Sequence, residues 1–252
     1  MYDDAASFNP ERFTWVFNAE GKDTFKGSGS TVQIVRPKAG LRMEILTPEK
    51  LTRTVKPHPD RDGSLIMLTT PAPSKAEKFL AVLIPSREDN RAEREAWKIS
   101  RITKDGWTGA VVNMDSTLEQ VLFRITPGNG IISAGEWETD GDRMAIFSDI
   151  KRGVYSLYVR EAMSLKKAGE AVEMIMRSTE RVSINLVYIN RERNFILGSA
   201  DSKTASTLSL KVGWKPERIL LNGAVSKYEY DSKTGMTTLN LKAGTNGIWI
   251  QQ

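Results

Sequence analysis

The chain has no cysteine and a single histidine, His58, among its 252 residues. The first absence removes disulfides, thiolate nucleophiles and cysteine-based zinc sites together. The second excludes a catalytic zinc held by several histidines, and leaves His58 as the one imidazole for acid–base work. No apolar run approaches the length of a bilayer-spanning helix. The opening Met1-Tyr2-Asp3-Asp4 is neither a basic leader nor an apolar signal core. The expected setting is periplasmic or secreted in a bacterium, as a region that has lost its leader; a cytosolic chain is the other option. No nucleophile elbow is present. Gly27-Ser28-Gly29 is not followed by a Gly-Lys-Ser/Thr helix start, so it reads as a hairpin turn and not as a phosphate loop.

Charge of one sign is also scarce. The net charge is +5, from 36 basic and 31 acidic residues. The densest charged stretch, Arg87 to Glu95, alternates in sign. Nucleic-acid binders concentrate basic charge in one patch, so no nucleic-acid partner is expected. An acidic polysaccharide suits a mild positive bias at least as well.

What the chain has in abundance is period-two alternation. Phe13, Trp15 and Phe17 alternate with polar or smaller residues, as do Leu41, Met43 and Ile45, Leu208 and Leu210, and Leu239 and Leu241. Each pattern gives a strand with one apolar face. Leu65 to Leu68, Phe79 to Ile84 and Val187 to Ile189 are apolar on both faces and read as central strands. Turn signals separate them at short intervals: Pro37 to Gly40, Pro127 to Gly130, Asp140-Gly141, Asn222-Gly223, Lys233 to Gly235 and Asn246-Gly247. The expected fold is all-β, an antiparallel β-sandwich on the scale of a large supersandwich, with at most one or two short helices. Asp89 to Trp97 is the clearer helix. Arg160 to Met176 has helix-friendly composition, yet the alternation of Val172, Met174 and Met176 makes its second half a strand. The polar stretch Asp201 to Ser206 suggests a main sandwich over 1–204 and a smaller β-unit over 205–252, or one continuous domain.

Few residues offer chemistry. His58 lies between Pro57 and Pro59 and belongs to a loop, where it is a surface residue or an acid, base or ligand at a sugar cleft. Glu136, Glu138, Asp140 and Asp142 form the most acidic cluster, around Trp137. Paired carboxylates could drive glycoside hydrolysis, and Asp140 with Asp142 offers oxygens to calcium without an EF-hand spacing. A solvated strand face and turn accounts for the cluster more simply. Trp107, in Gly106-Trp107-Thr108-Gly109, and Trp137 are the candidate sugar-stacking rings, with Arg143 and His58 as polar contacts; closing the edges of the sandwich is their plainer role.

Several stretches fall in an order that resembles the C-terminal β-sandwich region of heparinase II/III-like polysaccharide lyases. They are Arg12 to Asn18, Ser30 to Ile34, Gly40 to Pro48, Phe79 to Pro85, Thr139 to Ala145, and Ile219 to Gly223 running on to Ile250. The resemblance implies β-elimination of uronate polysaccharides by a parent enzyme. It places the family's Asn, Tyr and His machinery on an N-terminal helical domain, a partner for this sandwich. The metal that some members hold through histidines does not transfer to a chain with one histidine, and no catalytic residue is carried over. The expected function is a non-catalytic sandwich that supports such a domain and contacts acidic or neutral polysaccharide, with no cofactor. The alternatives are a stand-alone carbohydrate-binding or surface interaction module, and an intact β-rich glycosidase or lyase using Glu136 to Asp142.

Overall fold

A computed structural model describes every residue except 22, 28–29, 105, 127, 129, 152, 170–172 and 191–193, with residues 134 and 190 described by their backbone. The chain divides into two compact units, Met1–Ser100 and Arg101–Gln252. Unit one contains β1 (Tyr2–Glu11), β2 (Thr14–Glu20), β3 (Thr24–Lys26), β4 (Thr31–Val35), β5 (Ala39–Thr47), β6 (Thr52–Pro57), β7 (Gly63–Thr69) and β8 (Ser74–Arg87). A 3-10 turn over Glu88–Asn90 and a helix, α1 (Arg91–Ala96), follow. The strands form two antiparallel sheets, ordered β1-β8-β5-β4-β3 and β2-β7-β6. Alternation aims Val32, Met43, Ile45 and Ala81 from the first sheet and Ile66 and Leu68 from the second into one core. Trp15 of β2 closes that core by stacking on Phe79 of β8 at 4.5 Å.

After β9 (Lys98–Lys104), which crosses the division, unit two is built from β10 (Trp107–Met114), β11 (Thr117–Arg124), β12 (Ile132–Ala134), β13 (Trp137–Thr139) and β14 (Arg143–Asp149). Then come the long β15 (Gly153–Lys167) and β16 (Glu173–Asn190). The remainder is β17 (Asn194–Ser202), β18 (Ser206–Lys211), β19 (Arg218–Leu221), β20 (Ala224–Val225), β21 (Glu229–Asp231), β22 (Met236–Leu241) and β23 (Gly244–Gln251). The first half of β15 and the second half of β16 lie in the order β20-β19-β23-β17-β16-β15-β14-β11-β10-β9. Their other halves pair with β13 and β18, and so join a second layer holding β12, β21 and β22. Both layers feed one core, in which Leu157, Ile184, Leu186 and Ile248 meet Leu165, Met176, Leu208 and Leu239.

The bend in the long hairpin is marked by register shifts between Val159 and Ser164 and by Glu161, whose φ is +50°. A further bulge sets Ile175 and Met176 against Leu165, so Met174 and Met176 do not share a face as strict alternation expects. The β-character expected for the second half of the Arg160 to Met176 stretch holds, and the first half is strand as well.

Residues 205–252, expected as a smaller β-unit or as part of one continuous domain, join the strand network of unit two, where β18 pairs with β16 and β23 with β17. One expected turn needs correction. Asn246-Gly247 is not a turn but part of β23. The Asn246 side chain is buried; its amide donates to the carbonyls of Lys242 and Gly244 at 2.8 and 3.0 Å and so shapes the turn ahead of it. Asn222-Gly223 is a turn as expected, both residues having positive φ between Leu221 and Ala224, a twist that matches a two-residue hairpin. Ser28, Gly29, Asp105, Pro127, Asn129 and Val172, which belong to expected turns or strands, lie outside the described residues.

Tyr188 of β16 packs against the unit-two core, and burial pushes its phenol up to about 12. The folded state therefore holds this proton more tightly than the unfolded chain. Its contribution to stability is intact below the unfolded value of about 10 and is lost as pH rises toward 12. Urea unfolding at alkaline pH should show a steeper decline for the wild type than for Y188F. Identical declines would contradict the burial of this phenol.

Candidate functional site

The second layer of unit two carries an open groove on its outer surface. Its lining includes Glu173, Met174 and Arg177 of β16, Ser209 and Lys211 of β18, and Met236 and Thr238 of β22. Met174 and Arg177 continue into a second depression that adds Met163, Ser164 and Lys166 of β15. Strand alternation decides which residues face out: Met176, Leu208, Leu210 and Leu239 enter the core, so their neighbours Arg177, Ser209 and Thr238 stand on the surface. The register then aligns Ser164, Arg177, Ser209 and Thr238 across four adjacent strands. The Ser209 and Thr238 hydroxyls hydrogen-bond each other at 2.7 Å.

The groove's carboxylates are already engaged. Glu173 pairs with the Lys211 ammonium at 3.2 Å, and that ammonium also donates to the Thr234 carbonyl at 2.7 Å. Asp231 accepts the Thr234 hydroxyl at 2.7 Å and the Lys233 backbone N–H at 2.9 Å. These bonds, with the Thr234 hydroxyl the strongest cause, hold its carboxyl below the usual range. Arg177 and Lys166, in contrast, have no acceptor among the described residues. The result is a row of hydroxyls with two uncompensated cations, fixed on paired strands. Such a row can hydrogen-bond sugar hydroxyls and pair with a carboxylate or sulfate.

The residues singled out from the sequence do not assemble into one site. His58 lies in unit one, where its Nδ1 accepts the Asp60 N–H at 3.1 Å within the loop that closes on Gly63. The other candidates lie in unit two. Arg143 is exposed on β14, opposite Phe123 and Arg160. Trp107 and Trp137 correct the expectation of exposed stacking rings. They are 0% and 2% exposed, packed among Leu122, Leu165 and Met176, because each starts a strand with its ring on the core face. The Lys167 ammonium sits 5.7 Å from the Trp137 ring centre, at its outer side.

The acidic cluster is structural for the most part. Glu136 pairs with Lys167 at 3.6 Å and Asp142 with Arg160 at 3.4 Å. Asp140 is buried, not a solvated turn residue. Its Oδ1 accepts the backbone N–H groups of Met163 and Ser164, both at 2.9 Å, and its Oδ2 accepts from Arg181 at 3.1 Å. Both Asp140 oxygens thus already have protein donors, and no group of three or more metal-ligating side chains occurs among the described residues.

Sequence reasoning missed the groove. Lys166, Arg177 and Lys211 do fall at outward positions of strands, but only the register shows that they share a surface. Mutating Trp107 to Ala should cost about 3–5 kcal/mol in urea unfolding, as removal of a buried indole does. A loss under about 1 kcal/mol would instead mean a surface ring. No protein-family model matches the chain, and no curated protein matches it.

Proposed function

We propose that the chain is a non-catalytic β-sandwich module that contacts acidic polysaccharide through the groove around Arg177. The observation that carries this reading is an exposed arginine with no carboxylate partner among the described residues, set among aligned hydroxyls, beside Glu173, whose carboxylate is paired with Lys211. A linear uronate chain laid across the strands would meet Arg177 and Lys166 with its acid groups, and Ser209 and Thr238 with its hydroxyls. The strand order that resembles heparinase II/III-like lyases supports a more specific assignment: the sandwich of a polysaccharide lyase of that type, working beside a helical catalytic domain and outside the cytoplasm. The engagement of Glu136, Asp140 and Asp142 in structural pairs favours binding over hydrolysis by that cluster.

Titration of the chain with a uronate oligosaccharide tests the reading. Binding should weaken with added salt, because exposed charges are screened. R177Q should lower affinity about tenfold with an unchanged urea midpoint, and K166Q should have a smaller effect of the same sign. Equal affinity in R177Q and the wild type would remove the groove from the account.

A further inference from the structure

Unit one contains a second concentration of cationic donors, unrelated to the groove. Arg42 of β5 and Arg91 and Arg94 of α1 line a small pocket with Gly40, Ser86 and Glu95. Their guanidinium groups are held mainly by backbone carbonyls. Arg42 donates to the carbonyls of Glu95 and Trp97 at 2.6 and 2.9 Å. Arg91 donates to those of Arg36 and Ala39 at 2.9 and 3.2 Å. Arg94 donates to the Pro85 carbonyl at 2.7 Å and lies over the Trp97 ring at 5.0 Å.

These bonds orient the guanidiniums without discharging them. Carbonyls carry no net charge, and among the described residues the one carboxylate paired within the cluster is Glu44, 3.4 Å from Arg42 Nε. Glu95 is exposed at the pocket. The Nε of Arg91 is buried and makes no hydrogen bond among the described residues, whereas that of Arg42 faces the Glu44 carboxylate. A buried charged donor left unpaired is costly and needs an explanation. Gly40 supplies one. A Cβ built on it would lie 2.9 Å from Ser86 Oγ, 3.4 Å from the Ile34 carbonyl oxygen and 3.7 Å from Arg91 Nε, so the missing side chain leaves open the space beside Arg91 Nε and the Ser86 hydroxyl. Its φ lies outside the left-handed region, so the backbone itself does not require glycine here.

We propose that unit one carries an oxyanion pocket, floored by Gly40 and walled by Arg42, Arg91, Arg94 and Ser86, that takes a sulfate or phosphate group. Arg91 Nε and the Ser86 hydroxyl offer donors to the oxygens of such a group, and the carbonyl-held guanidiniums of Arg42 and Arg94 add positive charge beside it. The group arrives either as a free ion or as an ester on a glycan.

Calorimetric titration of the full chain at low ionic strength decides the matter. Its arms are inorganic sulfate, inorganic phosphate, a sulfated uronate oligosaccharide and the same oligosaccharide without sulfate. In the R177Q background, which disables the groove, saturable binding of an inorganic oxyanion is expected to persist and to weaken at least about fivefold when G40A or R91Q is added. Trp97 fluorescence should change along the same isotherm, since Arg94 covers that ring. A sulfated oligosaccharide that binds more tightly than inorganic sulfate, with the difference lost in G40A, assigns an ester. Equal or tighter binding of the inorganic ions assigns a free anion. No saturable binding of any sulfate or phosphate overturns the proposal, as does equal affinity in wild type, G40A and R91Q. Should G40A or R91Q unfold, R94Q replaces it, and unaltered binding by folded R94Q is equally fatal. Because R177Q is the groove variant, failure here and failure of the groove are separate results.

Discussion

A strand pair that passes from one sheet layer to another breaks its ladder at the corner, and the released backbone groups need new partners. In unit two that corner falls near residue 162 of β15 and residue 180 of β16, and Asp140 meets the demand. Its carboxylate takes two backbone N–H groups of β15 and the Arg181 guanidinium of β16. Arg181 in turn donates to the carbonyls of Asp140 and Glu161, and Arg124 of β11 reaches the Asp140 carbonyl at 3.3 Å. Thr139 adds a bond from its hydroxyl to the Ser164 carbonyl at 2.7 Å. The turn after β13, the bent hairpin and β11 thus meet at one residue, with the hairpin held by its carboxylate and β11 by its backbone carbonyl. The second layer, and the groove on its outer surface, are oriented by that corner.

This arrangement explains what was legible in the chain and what was not. Alternation in Phe13 to Phe17, Leu41 to Ile45 and Leu208 to Leu210 depends only on the pleat, so strand identity and the all-β class could be read directly. Asn222-Gly223 was equally plain, because a two-residue hairpin needs the positive φ that this pair tolerates. Asn246-Gly247 has the same composition and lies within β23. There Asn246 is buried and bonds to the backbone of the preceding turn, a use of asparagine that composition cannot separate from the first. The Glu136 to Asp142 cluster looked like a solvated face or a pair of catalytic acids. Burial of Asp140 depends on Met163, Ser164 and Arg181, which are distant in sequence. Trp107 and Trp137 were misjudged for a related reason: the polar residues beside them occupy the opposite strand faces, so they say nothing about where the rings point.

The two candidate binding features rest on different physics. The groove is a surface property, in which register aligns hydroxyls and leaves Arg177 and Lys166 without acid partners among the described residues. The pocket in unit one is a packing property, in which carbonyls fix three guanidiniums and Gly40 keeps the space before them open. Both favour oxyanions, which agrees with the chain's mild positive balance.

The account depends most on the Asp140 corner, and a double-mutant cycle tests it directly. Urea unfolding of the wild type, D140A, R181A and the double variant gives the coupling between the two side chains. A coupling of about 2 kcal/mol, with each single variant losing several times the stability of a surface change, is the expected result. Effects that add to within about 0.5 kcal/mol, or a D140A variant as stable as the wild type, would contradict a corner held by this carboxylate.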